Sequence, residues 1–200
     1  MPPKNTMPVV LIGFGGHARV VTGILKSTRV KLAGYIDQLQ YDTTVPYFGQ
    51  DIGVLTSDNL AQFQFHVAIG ENTVRAQKIA QLQLKHAHLW SAIHPTAVVA
   101  KSAELGNGLF VGAGAVVNPH AIVGDGCIVN TGAIVEHDCT LSSCVHVAPG
   151  AVLCGGVSVG KAALIGANAT VLPGIQIGAG ARVGAGAVVK QDLAAGTTVV

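Results

Sequence analysis

Charged and aromatic residues are scarce in this chain of 200 residues. Charged residues make up 11% of the sequence, aromatic residues make up 4%, and the formal net charge is only +2. A charge this small gives no support for a nucleic-acid-binding surface. Half of the residues are hydrophobic, yet no apolar run approaches the ~18 residues of a membrane-spanning helix. The low charge therefore predicts much buried surface, part of it between subunits.

The sequence also lacks the patterns of a leader and of a disulfide framework. Residues 1–13 contain one Lys and four aliphatic residues before Gly13, which is unlike a secretory signal, so we expect a cytoplasmic protein. The four cysteines form no CxxC pair, and we expect reduced thiols that pack as small apolar side chains. These cysteines are Cys127, Cys139, Cys144 and Cys154.

What the chain does have is a six-residue period. An Ile, Leu or Val stands at every sixth position from Ile93 to Val189, which gives seventeen consecutive hexads. The fifth residue of the hexad is Ala or Cys in twelve of the seventeen repeats, and glycines crowd the second and fourth positions. This period is typical of a parallel β-helix, in which three hexads close one triangular coil. The seventeen hexads predict between five and six coils, with glycines at the sharp corners.

The first half of the chain has a different pattern. Val9–Ile12 predicts a short buried strand, residues 13–17 a tight turn, and the spacing of aliphatic residues a helix over 18–25. Further strands are predicted over 31–36 and 65–69, and a second helix over 73–84. Strands that alternate with helices predict a small α/β, Rossmann-like domain with a parallel sheet over 1–92, followed by the β-helix over 93–200.

Six segments, taken in order, carry a resemblance to a known family. They are GFGGHARVV, GYID, AIGENTVR, AIHPTA, NTGAIVEHDC and SSCVHVAPGAVLCGG. The set resembles the bacterial nucleotide-sugar N-acetyltransferases among the left-handed β-helix, hexapeptide-repeat acyltransferases, although Gly15 and Ala18 replace the usual Ser and Gly of the first turn. The resemblance implies a homotrimer that uses acetyl-CoA, without a metal, to acetylate a UDP-linked 4-amino sugar, as in bacillosamine biosynthesis.

An acid–base site is predicted at Glu136-His137-Asp138, because the β-helix half has few other ionisable residues. The alternative is a solvated turn without function. Histidine suits the removal of a proton from an attacking amine at neutral pH, and a carboxylate partner would fix its tautomer and raise its basicity. The resemblance assigns the partner role to Asp138, with Glu136 as the alternative.

The 18-residue coil adds geometry to this site. Gly155 lies one coil after His137, so it should stack about 4.8 Å away on the same corner, with its N–H open to a ligand. By resemblance, that N–H binds the thioester carbonyl oxygen as an oxyanion hole. The resemblance also places His146, Ala167 and Ala185 near acetyl-CoA, with His146 able to serve a neighbouring subunit.

A nucleotide-sugar site is predicted at the carboxyl ends of the first-half strands. The GFGGH turn follows a strand and opens a helix, which is the context of a phosphate cradle, and Asp37 ends the second strand where an acidic residue commonly meets a ribose. The resemblance redirects this site to a UDP-sugar, with Gly15, Gly16, His17, Asp37, Gly70 and Asn72 as contacts. Arg75 is expected either to pair with the diphosphate or to lie on the helix surface. The remaining histidines are expected to be structural: His66, His86, His88, His94 and His120.

The leading hypothesis is a direct acetyl transfer in which His137 deprotonates the attacking amine and no covalent acyl-enzyme forms. O-acetylation of a sialic-acid-like sugar is the alternative within the same family. A trimeric zinc enzyme of the γ-carbonic-anhydrase type would need histidines five residues apart in the β-helix, and none are found there. A non-catalytic scaffold with a sugar-nucleotide sensor domain is the third class.

Overall fold

The computed structural model describes residues 7–200. Residues 1–6, part of the stretch in which a leader was sought, lie outside the described residues. The N-terminal domain has a parallel four-stranded sheet in the order β3-β2-β1-β4. Its strands are β1 (Val9–Ile12), β2 (Leu32–Ile36), β3 (Tyr47–Gly49) and β4 (Gln64–Val67). Its helices are α1 (Gly16–Thr28), α2 (Ser57–Gln62) and α3 (Asn72–Leu84), with a 3₁₀ turn at Ile52–Val54.

Helices α1 and α3 are held by their apolar faces. The buried residues of α1 are Ala18, Val21, Ile24 and Leu25, which have the i, i+3, i+6, i+7 spacing of one helical face. Helix α3 buries Ile79 and Leu82 in a separate cluster on the other side of the sheet. The two helices thus cover both faces of the sheet and leave its carboxyl edge free for a ligand.

The structure extends both predicted helices, shortens the strands predicted over 31–36 and 65–69 to β2 and β4, and adds two elements. Both long helices begin earlier than predicted, α1 at Gly16 rather than 18 and α3 at Asn72 rather than 73. Strand β3 and helix α2 were not predicted. Strand β3 has three half-buried residues, too few for a visible alternation, and α2 buries none of its residues and depends on a Thr56 capping box.

The predicted parallel β-helix is confirmed, and its strands form three flat faces. Face I contains β5 (Ala92–Ile93), β8 (Phe110–Val111), β11 (Ile128–Val129), β14 (His146–Val147), β17 (Leu164–Ile165), β20 (Arg182–Val183) and β22 (Thr198–Val199). Face II contains β6 (Val98–Val99), β9 (Val116–Val117), β12 (Ile134–Val135), β15 (Val152–Leu153), β18 (Thr170–Val171) and β21 (Val188–Val189). Face III contains β7 (Glu104–Leu105), β10 (Ile122–Val123), β13 (Thr140–Leu141), β16 (Ser158–Val159) and β19 (Gln176–Ile177).

The hexad determines which side chains fill the prism. Val135 pairs with Val117 on one side and with Leu153 on the other, so a coil takes 18 residues, as predicted. The last coil is shorter, because Arg182 pairs with Thr198, 16 residues later. The second residue of each strand points inward, and the small fifth residues, such as Ala133 and Cys139, are fully buried between them. Most corners carry a glycine with positive φ, and Asp138 takes the same conformation with φ of 60°. A residue other than glycine can therefore take the same corner conformation.

The N-terminal domain packs on face I and on the edge between faces III and I. Ala92, Phe110 and Ile128 of face I are buried in the same cluster as the apolar side of α1. At the edge, the side chain of Ile79 lies against Gly126. No helix within residues 7–200 is long and apolar enough to cross a membrane.

Candidate active site

His137 and Asp138 form an exposed pair at the edge between faces II and III. Nδ1 of His137 lies 2.8 Å from Oδ2 of Asp138, and each side chain is 62% exposed. Because a carboxylate only accepts, Nδ1 carries the proton and Nε2 keeps its lone pair for a substrate. The hydrogen bond to Asp138 raises the pKa of His137, with a smaller contribution from the charge of Glu136. The ring is thus oriented as a proton acceptor.

Gly155 lies directly beneath the imidazole. A Cβ at this position would come within 2.6 Å of Cε1 and 2.7 Å of Nε2 of His137, so a side chain here would displace the imidazole. The next amide, that of Gly156, donates to the carbonyl oxygen of His137 at 2.9 Å and fixes the two coils together. Within the described residues the Gly155 amide has no acceptor, so its N–H is available to a ligand.

Changing Asp138 to Asn should move the acidic limb of the pH–rate profile to lower pH. Asn keeps the positive-φ corner, but it removes the charge and the carboxylate bond that raise the pKa of His137. The imidazole then becomes neutral at lower pH. The measurement is kcat/KM across pH for the acetyl transfer that the resemblance implies, with Glu136→Gln as the matched control. An equal or larger shift in the control would assign the partner role to Glu136 instead.

His146 lies on face I, bound to a residue that the sequence analysis did not single out. Its Nε2 is 3.1 Å from Nδ2 of Asn130, and burial lowers its pKa to about 4 despite a hydrogen bond to the Gly70 backbone. The amide of Asn130 donates to Nε2, so His146 is a neutral ring with its proton on Nδ1. Asn130 opens the NTGAIVEHDC segment, but nothing in the hexad indicates its partner.

A cavity of about 460 Å³ lies at the carboxyl edge of the N-terminal sheet. It is lined by five of the predicted substrate contacts: Gly15, Gly16, His17, Asp37 and Gly70. A Cβ built on any of the three glycines meets nothing within 4 Å, so their backbones are open to a ligand. Asp37 accepts backbone N–H groups from Phe14 at 2.7 Å and from Leu39 at 3.0 Å, which holds its carboxylate at the rim.

His17 joins this cavity to face I. Its ring stands edge-on to Phe110 at a centroid distance of 4.6 Å, in the first turn of α1. Burial, with a smaller effect from His66, lowers the pKa of His17 to about 3. The imidazole is therefore uncharged at neutral pH and can meet a substrate only as a neutral group. His66 is also neutral, because burial lowers its pKa to about 4.

Both expectations for Arg75 are wrong, because its side chain is buried and fully engaged. It is 1% exposed, and its five N–H donors all have partners within the protein. Those acceptors are the carbonyl oxygens of Gly126 (2.8 Å), Ile69 (3.1 Å), Gly70 (2.9 Å) and Cys144 (2.8 Å) and Oδ1 of Asn72 (2.7 Å). A guanidinium has five N–H groups, so none remains for a diphosphate.

Asn72 is also turned away from the cavity. Its Nδ2 donates to the carbonyl oxygens of Ala162 and Ala163, both at 3.0 Å, and its Oδ1 accepts from Arg75. The predicted contact of the Asn72 side chain with a nucleotide sugar is therefore wrong. Asn72 and Arg75 together tie the start of α3 to three successive coils of the β-helix.

The remaining predicted residues lie on another edge of the prism. Ala167 and Ala185 stack one coil apart between faces I and II, where the amide of Gly186 donates to the Ala167 carbonyl at 2.8 Å. His137, between faces II and III, is on the edge opposite face I, and so on the far side of the prism from the N-terminal cavity. One chain therefore brings neither the N-terminal cavity nor the edge with Ala167 and Ala185 to His137. No group of three or more potential ligands within residues 7–200 is arranged for a metal ion.

Comparison with known proteins gives consistent matches along the chain. Residues 8–82 match the model of the PglD N-terminal domain, and residues 156–191 match that of the bacterial transferase hexapeptide (six repeats). The sequence is 37% identical over 112 residues to UDP-N-acetylbacillosamine N-acetyltransferase of Bacillus subtilis (strain 168). That match spans 52% of this chain and only half of the length of the curated relative.

Two solved structures resemble almost the whole chain. One is a histidine-to-asparagine mutant of perosamine N-acetyltransferase from Caulobacter crescentus, in complex with CoA and GDP-perosamine. It is 41% identical with a TM-score of 0.89, and the match covers 96% of this chain and 92% of that one. The other is the acetyltransferase domain of PglB from Neisseria gonorrhoeae FA1090, in complex with acetyl coenzyme A. It is 34% identical with a TM-score of 0.90, and the match covers 98% and 96%.

Proposed function

The chain belongs to the hexapeptide-repeat sugar N-acetyltransferases, and from this membership we propose that it transfers acetyl from acetyl-CoA to the 4-amino group of a UDP-linked amino-deoxy sugar. The observation that carries the proposal is the His137–Asp138 pair stacked over Gly155. It combines an oriented proton acceptor with an open amide donor, the two groups that aminolysis of a thioester needs. Relatives that act on or bind UDP- and GDP-linked amino sugars support the substrate class.

The proposed reaction is a single displacement. The amine nitrogen attacks the thioester carbonyl carbon and its proton passes to Nε2 of His137, while Asp138 stabilises the imidazolium. The carbonyl oxygen becomes an oxyanion that accepts the N–H of Gly155. Collapse of the tetrahedral intermediate breaks the carbon–sulfur bond, and the departing CoA thiolate takes the proton from His137. The products are CoA and the sugar acetamide.

A homotrimer would bring together, across a subunit interface, the predicted residues that lie on different edges of one chain. Face II turns an apolar stripe outward, five of whose six residues are Val or Ile: Val98, Val116, Ile134, Val152, Thr170 and Val188. Such a stripe is typical of an interface between subunits. If face II points to a threefold axis, the edge between faces II and III of one subunit meets the edge between faces I and II of the next.

This packing would bring the predicted acetyl-CoA and acid–base residues into one cleft. His137 and Gly155 of one subunit would lie beside Ala167 and Ala185 of the next, where acetyl-CoA would bind. Face I of that second subunit carries His146, and its N-terminal cavity opens beside the same cleft. The amino sugar would thus extend from the cavity of one chain to the base of its neighbour.

The test is an acceptor screen with CoA release as the readout. Amino sugars with a free 4-amino group, linked to UDP and to GDP, are compared with sialic-acid-like sugars that offer only hydroxyl groups. Acetylation of the amine on the UDP-linked sugar is expected. A preference for the GDP-linked sugar would correct the nucleotide and leave the reaction standing. Acetylation of hydroxyl acceptors alone would overturn N-acetylation as the activity of this chain.

A further inference from the structure

A nucleotide sugar in the N-terminal cavity would need a positively charged side chain to bind its diphosphate. The inference that follows rests on the proposed function. Arg75 has no free donor, and the imidazoles of His17 and His146 are uncharged at neutral pH. The cavity is lined by two carboxylates, Asp37 and Asp51. Without a positive side chain, this lining would repel a diphosphate.

Lys78 is the one formally positive side chain among the described residues that line the cavity. It lies one turn after Val74 on the same side of α3, and both residues face the cavity. Its Nζ is 2.6 Å from Oδ2 of Asp51, and the two side chains are 22% and 59% exposed. An ammonium group has three N–H donors, so this ion pair does not exhaust it.

Asp51 also caps a 3₁₀ turn, and this role does not depend on Lys78. Oδ1 of Asp51 accepts the amide of Gly53 at 3.3 Å and so caps the 3₁₀ turn at Ile52–Val54. The bond from Lys78 lowers the pKa of Asp51, which remains ionised at neutral pH. The carboxylate is thus held by its own backbone at the cavity wall, while the lysine arm is joined to it by an exposed ion pair that contributes little stability.

We propose that Lys78 binds the diphosphate of the nucleotide sugar and that Asp51 pairs with Lys78 only while the nucleotide is absent. The amides of the Gly15–Gly16 turn, at the uncapped start of α1, would bind the phosphate oxygens from the opposite side. On binding, Lys78 exchanges the carboxylate of Asp51 for the more highly charged diphosphate. This exchange favours the nucleotide-bound state. Asp51 then acts as a competitor of the ligand for the same ammonium group.

Two variants that break the same ion pair should have opposite effects. Lys78→Gln is expected to weaken the binding of UDP and of GDP by about tenfold or more, because a charge-assisted bond to phosphate is lost. Asp51→Asn is expected to bind both nucleotides as tightly as the wild type or more tightly, because the competitor is gone. Asn still accepts the Gly53 amide, so the 3₁₀ turn is kept. Titration calorimetry of the full chain with UDP and GDP measures these affinities, and thermal midpoints check that both variants fold.

The outcomes separate this inference from the proposed function. A wild-type chain that binds neither UDP nor GDP would overturn the nucleotide-sugar site itself. Wild-type binding with unchanged affinity in Lys78→Gln would overturn only the assignment of Lys78. Equal weakening in both variants would show that the ion pair merely supports the fold. A loss confined to one of two nucleotides that the wild type binds would assign Lys78 to the base and not to the diphosphate.

Discussion

Replacing His137 by Ala is expected to lower kcat for acetyl transfer by about 10²–10⁴-fold, the range that a general base contributes. Nε2 of His137 carries the lone pair that the proposed reaction uses, and the hydrogen bond to Asp138 fixes the tautomer that exposes it. The side chain is 62% exposed and packs on a glycine, so its loss should not disturb the coil. The measurement is the rate of CoA release with saturating acceptor, together with calorimetric binding of acetyl-CoA, which should survive.

Cys139→Ala is the matched control for the chemistry of this segment. A thiol two residues from His137 could be mistaken for the nucleophile of an acyl-enzyme, but Cys139 is fully buried inside the prism. Its Sγ donates to the carbonyl oxygen of Cys154 at 3.2 Å, and burial raises its pKa, which disfavours the reactive thiolate. Alanine already fills most equivalent positions, so turnover should stay close to that of the wild type. Equal losses in both variants would contradict direct transfer.

The β-helix was predictable in detail because one rule applies to every coil before the last. Each strand has two residues and each of these coils takes 18 residues, so sequence spacing converts directly into position. The stacking of His137 on Gly155 follows from that spacing without any knowledge of side-chain contacts. What the spacing does not contain is the relation between faces and a second domain. The pairing of Asn130 with His146 stayed hidden for another reason. The spacing places both residues on adjacent coils, but it does not show that their side chains turn toward each other.

The N-terminal domain was predictable only as an order of elements. The turn at Gly15–Gly16 and the carboxylate of Asp37 reach the cavity because strand ends and helix starts meet at one edge of a parallel sheet. Arg75 shows where such reasoning stops. Its acceptors at Gly126 and Cys144 are 51 and 69 residues away in sequence, in a domain whose docking angle no local pattern specifies. The segment AIGENTVR thus holds the cavity wall in place rather than binding substrate through Arg75.

Replacing Arg75 by Leu is expected to lower the free energy of unfolding by about 3–5 kcal/mol, because buried acceptors lose a charged donor. Four backbone carbonyls would lose this partner, two in the β4–α3 loop and two at the edge of the β-helix. Leucine fills part of the volume but donates nothing. Urea unfolding followed by the fluorescence of Trp90, the single tryptophan, reports on this junction, because its backbone pairs with Phe65 and His66.

The control for the loss of charge and of side-chain length is Arg19→Leu, the same change at an exposed arginine on α1. It should alter the free energy of unfolding by less than about 0.5 kcal/mol. Arg75→Lys should fall between the two, since an ammonium group keeps the charge but has three donors for five acceptors. This ordering separates the effect of the five hydrogen bonds of Arg75 from the effect of filling the buried space. If Arg75→Lys were as damaging as Arg75→Leu, the planar fork itself would be essential. If Arg75→Leu matched the Arg19 control, the five bonds would contribute nothing and the two domains would be held by their apolar contact alone.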